Sequence, residues 1–267
     1  VATFGKTLAG LGARTAEALA RALYPPVCIG CGAFMAGALP GIDPREASLG
    51  QIVSTCFCPD CALKIKPVSP PFCAVCGEPF VSEQGPGRTC GGCMEKRPAF
   101  ATARAAVLYE GPVKNAIISF KYDRRMALAG ALSLLCQWAF FRYYADAGHD
   151  LALPVPLHGR RRGWRGFNQA WLLMAGWKKD ARFPVPDGRV LERIRNTPVQ
   201  AGMNKQKRAQ NIRGAFAVSC PQKVRGKRIL IVDDVLTTGA TARECARILV
   251  KSGAAGVDIL TLARVEK

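Results

Sequence analysis

The chain has 267 residues, 49% of them hydrophobic and 21% charged, with a formal net charge of +19. That apolar content excludes a disordered chain, since a packed core can be built, and the length admits one large unit or two modest ones. Nine of the twelve cysteines fall between Cys28 and Cys93, which divides the chain into two unlike parts.

Residues 1–24 read as an amphipathic helix stopped by Pro25 and Pro26. Lys6, Arg14, Glu17 and Arg21 interrupt any signal-peptide apolar run. Residues 25–98, rich in Cys, Pro and Gly, read as a loop-dominated module, and 99–267 as the main domain. Within that domain the pattern predicts a strand over 99–110 and helices over 115–122 and 126–144, broken near Asp123. A buried strand follows over 150–156 with a loop at its carboxyl end, then a helix over 167–177, a strand over 185–195 and a polar helix over 200–212. The clearest succession comes last: strand 228–235, loop 236–239, helix 240–251, a stop at Gly253 and strand 257–263. Strands alternating with helices predict a parallel α/β sheet. The longest uncharged apolar run, 126–141, is shorter than the roughly 18 to 20 residues a bilayer span needs. A soluble cytoplasmic protein is therefore expected, and in a reducing compartment paired cysteines suit metal better than disulfides.

The cysteines form four C-x2-C pairs: Cys28 with Cys31, Cys58 with Cys61, Cys73 with Cys76, and Cys90 with Cys93. Each pair presents two thiolates to one side of an ion, and two pairs complete a tetrahedral site. The expectation is two zinc sites closed by sulfur, which serve folding rather than catalysis. Gly32, Gly77 and the Gly91-Gly92 step let the backbone turn close to the sulfurs. Cys56 is left over.

Residues 229–241, ILIVDDVLTTGAT, carry the most chemistry. Four apolar residues make a buried strand, two carboxylates end it, and a hydroxyl-rich loop opens a helix. Orphan N–H groups and the positive end of the helix dipole favour phosphate there. The carboxylates repel phosphate, so they suit vicinal hydroxyls or a Mg²⁺ that bridges to the ligand. A sugar phosphate meets both demands.

This string resembles the signature by which type I phosphoribosyltransferases, enzymes with a parallel α/β core, bind 5-phosphoribosyl-1-diphosphate (PRPP). The resemblance implies that Asp233 and Asp234 hold the ribose hydroxyls. It gives the 5′-phosphate to Thr237, Thr238, Gly239, Ala240 and Thr241, with Mg²⁺ accompanying PRPP. Together with the cysteine pairs, SFKY at 119–122, PVPLHGRRRGWRGFNQA at 154–170 and TPVQAGMNKQKRAQNIRGAF at 197–216, the chain resembles the ComF family of competence proteins over about 25–265. Members of that family join a zinc-ribbon module to a phosphoribosyltransferase-like domain and are associated with incoming single-stranded DNA in natural transformation. In type I phosphoribosyltransferases the loop after a strand such as 150–156 holds the pyrophosphate, which makes Arg160, Arg161, Arg162 and Arg165 candidates. Thr237 stands where purine phosphoribosyltransferases often carry an aspartate acting as base, a departure that argues against purine salvage.

Residues 158–213 hold 14 Lys+Arg against three acids, a local charge of +11 interleaved with Trp164, Phe167, Trp171, Trp177 and Phe183. Such a run suits either a solvated face or a polyanion whose phosphates are neutralised and bases stacked. The reading that joins these features is a ComF-like competence protein that binds PRPP and handles single-stranded DNA, with competence-machinery proteins as candidate partners. An active Mg²⁺-dependent phosphoribosyltransferase on an unknown acceptor and a PRPP-sensing regulator are the alternatives.

Overall fold

A computed structural model of the chain describes residues 26–35, 42–80, 87–174, 176–177, 180–198 and 205–266. The helix expected over 1–24 lies outside them. The cysteine-rich part contains three short helices, α1 (Leu49–Ser54), α2 (Pro59–Ala62) and α3 (Gly91–Glu95). Then come β1 (Ala103–Leu108), α4 (Gly111–Tyr122), α5 (Ala129–Tyr143) and β2 (Leu151–Pro154). Two short helices, α6 (Gly159–Arg165) and α7 (Gln169–Leu173), precede β3 (Val185–Pro186) and β4 (Leu191–Arg193). The chain closes with α8 (Lys205–Ile212), β5 (Phe216–Val218), β6 (Arg228–Leu236), α9 (Ala240–Lys251) and β7 (Gly256–Arg264).

Five strands form one parallel sheet in the order β1-β7-β6-β2-β3. The apolar run of β6 explains why the sheet is covered on both sides. Ile229 and Ile231 enter one core with Leu153, Ile259 and Leu249, while Leu230 and Val232 enter the other with Phe120, Leu132 and Leu262. Strand side chains alternate between faces, so a continuous apolar strand is one buried on both.

The cysteine-rich segment shares these cores. Cys28 and Cys61, with Ile52 and Phe57, join the core under α4 and α5. Cys73, Cys76 and Cys93 join the opposite one, against Leu236, Ala242 and Cys245. The two halves of the cysteine module thus pack on opposite faces of the sheet. Among the described residues no helix is long and apolar enough to cross a membrane.

Three expectations change. The strand expected over 185–195 is two: Val185–Pro186 joins the sheet, and Leu191–Arg193 pairs antiparallel with Phe216–Val218 in a separate ribbon. Asp187 breaks the run, its carboxylate accepting the Arg189 N–H at 2.8 Å in a local turn that competes with the ladder. Of the helix expected over 167–177, the described residues hold Gln169–Leu173 as α-helix, and Gly176 takes φ +87°. The arginine segment expected as a loop is helical. His158 caps it, Nδ1 accepting the Arg160 N–H at 3.3 Å, and left-handed Gly166 ends it.

Candidate ligand site and metal clusters

The four C-x2-C pairs come together as two clusters, Cys28, Cys31, Cys58 and Cys61, and Cys73, Cys76, Cys90 and Cys93. Within each, the sulfurs all lie within 4.8 Å of one another. The turns that bring them there are local. Gly32 and Gly77 take left-handed φ of +79° and +70°, and their N–H groups donate to the carbonyls of Cys28 and Cys73 at 2.8 Å. At Gly77 a side chain would also strike the Ala103 carbonyl, 2.5 Å from the Cβ position. Gly91 and Gly92, expected in a turn, instead lie in the first turn of α3.

Burial works against the Cys28 thiolate, but N–H groups of Cys58, Cys31 and Gly30 outweigh it and lower its pKa to about 6. Cys73 is lowered to about 7 in the same way, with burial opposed by the N–H groups of Cys90, Cys76 and Val75. Burial pushes Cys61 and Cys76 upward. Four sulfurs held this close, with backbone donors already aimed at one of them, fit a tetrahedral metal ion in each cluster. Cys56 belongs to neither: it is buried, its sulfur 3.0 Å from the Thr55 hydroxyl.

The carboxyl end of β6 brings the acid pair and the phosphate-type loop together. Asp234 is only 4% exposed and pairs with Lys121 Nζ at 2.7 Å. Burial opposes the Lys121 charge and Asp234 outweighs it, so the ammonium is held above its usual range. Asp233 lies half-buried beside them, and burial followed by the adjacent Asp234 raises its pKa to about 8.

Gly239 takes φ +75° at the N-cap of α9, with no side chain capping the helix. A helix N-terminus without a side-chain cap is a favourable place for an anion. The Thr238 hydroxyl is buried with no protein partner, and the Thr237 hydroxyl accepts from Arg208 Nη1 at 3.0 Å. An orphaned buried hydroxyl at an uncapped helix N-terminus suits an anionic oxygen. The other wall of this loop is the second cysteine cluster: Cys76, Cys90 and Cys93 line the same cleft as Thr237, Thr238 and Gly239.

The four candidate arginines separate. Arg160 and Arg162 are exposed on α6. Arg161 is partly buried, and its Nη2 donates to the Thr197 carbonyl at 3.1 Å. Arg165 is buried, its Nη1 donating to Gln169 Oε1 at 2.7 Å and its Nε unpartnered. Desolvation lowers the Arg165 pKa, while Asp234 and Asp233 work the other way. Asn168 links this segment to β2, accepting from the Ala170 N–H and donating to the Val155 carbonyl at 3.1 Å.

Sequence reasoning missed Lys121, which lay inside the SFKY match without a role. It also missed Arg193, counted only in the basic run, and Arg208, which lay in that run and in the 197–216 match without a role. Arg193 Nη2 bonds the Thr197 hydroxyl and its buried Nε has no partner. The signal for Arg208 was the match at 197–216, which sets it in one motif with Thr197.

Residues 181–267 match the family described as phosphoribosyl transferase domain, which takes in the acid pair and α9. The chain is similar to the DNA utilization protein YhgH of Salmonella typhimurium, 33% identical over 199 residues, covering 72% of this chain and 84% of that protein. It is 30% identical over 220 residues to Competence protein F of Haemophilus influenzae, covering 80% and 93%. Competence protein ComFC of Bacillus subtilis is 28% identical over 214 residues, covering 78% and 83%. With a phosphoribosyltransferase-type sheet, two four-cysteine clusters and these relatives, the chain belongs to the ComF family.

Proposed function

We infer that this chain is a competence protein whose phosphoribosyltransferase-type domain binds PRPP and which handles single-stranded DNA during uptake. In this reading residues 25–98 are a double zinc ribbon, 99–267 the PRPP domain, and the protein works in the cytoplasm with other competence proteins. The carrying observation is the end of β6, where an acid pair, Asp234 buried against Lys121 and Asp233 half-buried, abuts an uncapped helix N-terminus with an orphaned hydroxyl.

Asp233 and Asp234 take the ribose hydroxyls, and the loop from Thr237 to Thr241 takes the 5′-phosphate. Arg161 and Arg165 of the original four, joined by Arg193, supply the diphosphate side, where Mg²⁺ offsets negative charge. Zinc fills the two sulfur clusters and holds the ribbons folded. The relatives named for competence and DNA utilization support the DNA role, as does the +11 charge of 158–213.

Calorimetric titration of Mg²⁺-PRPP tests the ligand. Saturable binding is expected for the unaltered chain, and loss of it in Asp233→Asn with Asp234→Asn. Equal affinity in the double variant would refute the assignment of the acid pair.

A further inference from the structure

Two large aromatic side chains stand in the open beside the ligand site, Tyr122 at 51% exposure and Trp164 at 52%. Tyr122 ends α4, directly after the lysine that pairs with Asp234, and Trp164 lies in the last turn of α6. Their ring centroids are 6.3 Å apart at 58°, so the rings are not stacked on each other. Each has a guanidinium on one side, Arg124 Cζ 5.7 Å from the Trp164 centroid and Arg165 Cζ 5.5 Å from that of Tyr122. Arg124 is fixed there because its Nη2 also donates to the Trp164 carbonyl. An aromatic ring under a cation on one face keeps the other for a further π-system.

The surroundings are basic. Arg124 and Arg125 follow Tyr122, and Arg160 and Arg162 lie on the same helix as Trp164, all exposed, with Asp123 the acid among them. Exposed rings within a cationic field suit a chain of alternating phosphates and bare base faces, the requirement of a single strand and not of a duplex, whose base faces are hidden.

We propose that Tyr122 and Trp164 form the stacking platform on which this protein holds single-stranded DNA, with Arg124, Arg125, Arg160 and Arg162 engaging the phosphates. This rests on the DNA-handling reading and gives it a place: the strand passes the mouth of the PRPP site. Both rings are exposed and outside the core, so their removal leaves the fold intact.

The test uses the full zinc-loaded chain and a fluorescein-labelled oligothymidylate of about 20 nucleotides, followed by anisotropy. Tyr122→Ala and Trp164→Ala are each expected to weaken binding roughly 10-fold. Tyr122→Phe and Trp164→Phe, which keep a ring, should restore most of it. Oligothymidylate should also quench tryptophan fluorescence in the unaltered chain and much less in Trp164→Phe. Binding that both alanine variants retain within twofold overturns the platform and leaves the DNA reading standing. Equal affinity for duplex of the same length also overturns it. No binding by the unaltered chain at low salt overturns the DNA reading and the platform with it.

Discussion

Arg243 Nη2 lies 3.6 Å from the Cys93 sulfur, while Nη1 of the same guanidinium donates to the Lys96 carbonyl at 2.8 Å. Arg243 sits in the first turn of α9, whose N-terminus closes the phosphate-type loop, and its N–H donates to the Gly239 carbonyl at 2.9 Å. The second cysteine cluster is therefore fastened to the loop by one side chain. On the same side, Arg264 of β7 donates to the Cys76 carbonyl at 2.6 Å and forms a buried ion pair with Glu78. The first cluster makes no such connection among the described residues, because it packs on the far face of the sheet.

Metal loss should therefore act unequally. Cys90→Ser with Cys93→Ser is expected to weaken PRPP binding, because Arg243 then loses the cluster that holds it beside the phosphate-type loop. Cys28→Ser with Cys31→Ser should lower thermal stability while the protein that stays folded binds PRPP normally. Calorimetry on the folded fraction, with metal content measured alongside, checks this, and equal losses in affinity for both pairs would contradict it. Arg243→Ala, with both metals retained, should reproduce part of the second-cluster effect.

The acid pair gives a pH signature. Burial first, and Asp234 second, raise the Asp233 pKa from 3.8 to about 8, so the free protein carries a proton there at neutral pH. Ribose hydroxyls donate best to a carboxylate, so binding PRPP should expel that proton. Affinity is then expected to rise with pH up to about 8, and titrations in buffers of different ionisation heat should show proton release that vanishes in Asp233→Asn. The linkage to stability has the matching sign: the preference for the protonated folded form is complete below pH 3.8 and is lost as pH rises through about 8. Asp234 behaves differently. Its removal as Asp234→Ala strands the Lys121 ammonium, 16% exposed, and should cost about 3 kcal/mol of stability. The amide variant is therefore the cleaner probe of binding.

What the sequence made legible was local. The alternation hidden in ILIV, the C-x2-C turns and the loop-to-helix step at Gly239 each depend on residues a few positions apart, and their elements formed where the spacing placed them. The partners of those elements were not legible, because they come from distant segments. Lys121 reaches Asp234 only after β1, β7 and β6 are laid side by side, and no spacing rule links an SFKY helix end to an acid on another strand. The same holds for Arg193, whose strand forms only with Phe216–Val218. The arginine segment, expected as a loop because it follows the prolines that end a strand, is helical because His158 and Gly166 supply its two ends.

His149 shows the same long reach and carries the last prediction. It reads as part of a polar turn, yet its side chain is 1% exposed and its Nε2 lies 3.0 Å from Asp258 Oδ2, across 109 positions of sequence. Asp258 Oδ1 accepts from both the N–H and the hydroxyl of Thr102, at 2.9 and 2.7 Å. The Tyr144 hydroxyl completes the network, 2.9 Å from that of Thr102 and donating to the Ile259 carbonyl at 3.0 Å. The cluster fastens the end of α5 and the segment before β2 to β7. Burial opposes the Asp258 charge, but His149 and Thr102 outweigh it and hold the carboxyl below its ordinary 3.8. A depressed carboxyl stabilises the fold above that ordinary value, and the contribution is lost as pH falls below it. Asp258→Ala leaves a buried imidazole and the Thr102 donors without their acceptor, so a loss of about 2 to 3 kcal/mol is expected at pH 7. Urea unfolding should show that loss at neutral pH and a difference from the unaltered chain that shrinks as pH falls below 3.8. A gap that stays constant with pH would mean that Asp258 contributes packing and not charge.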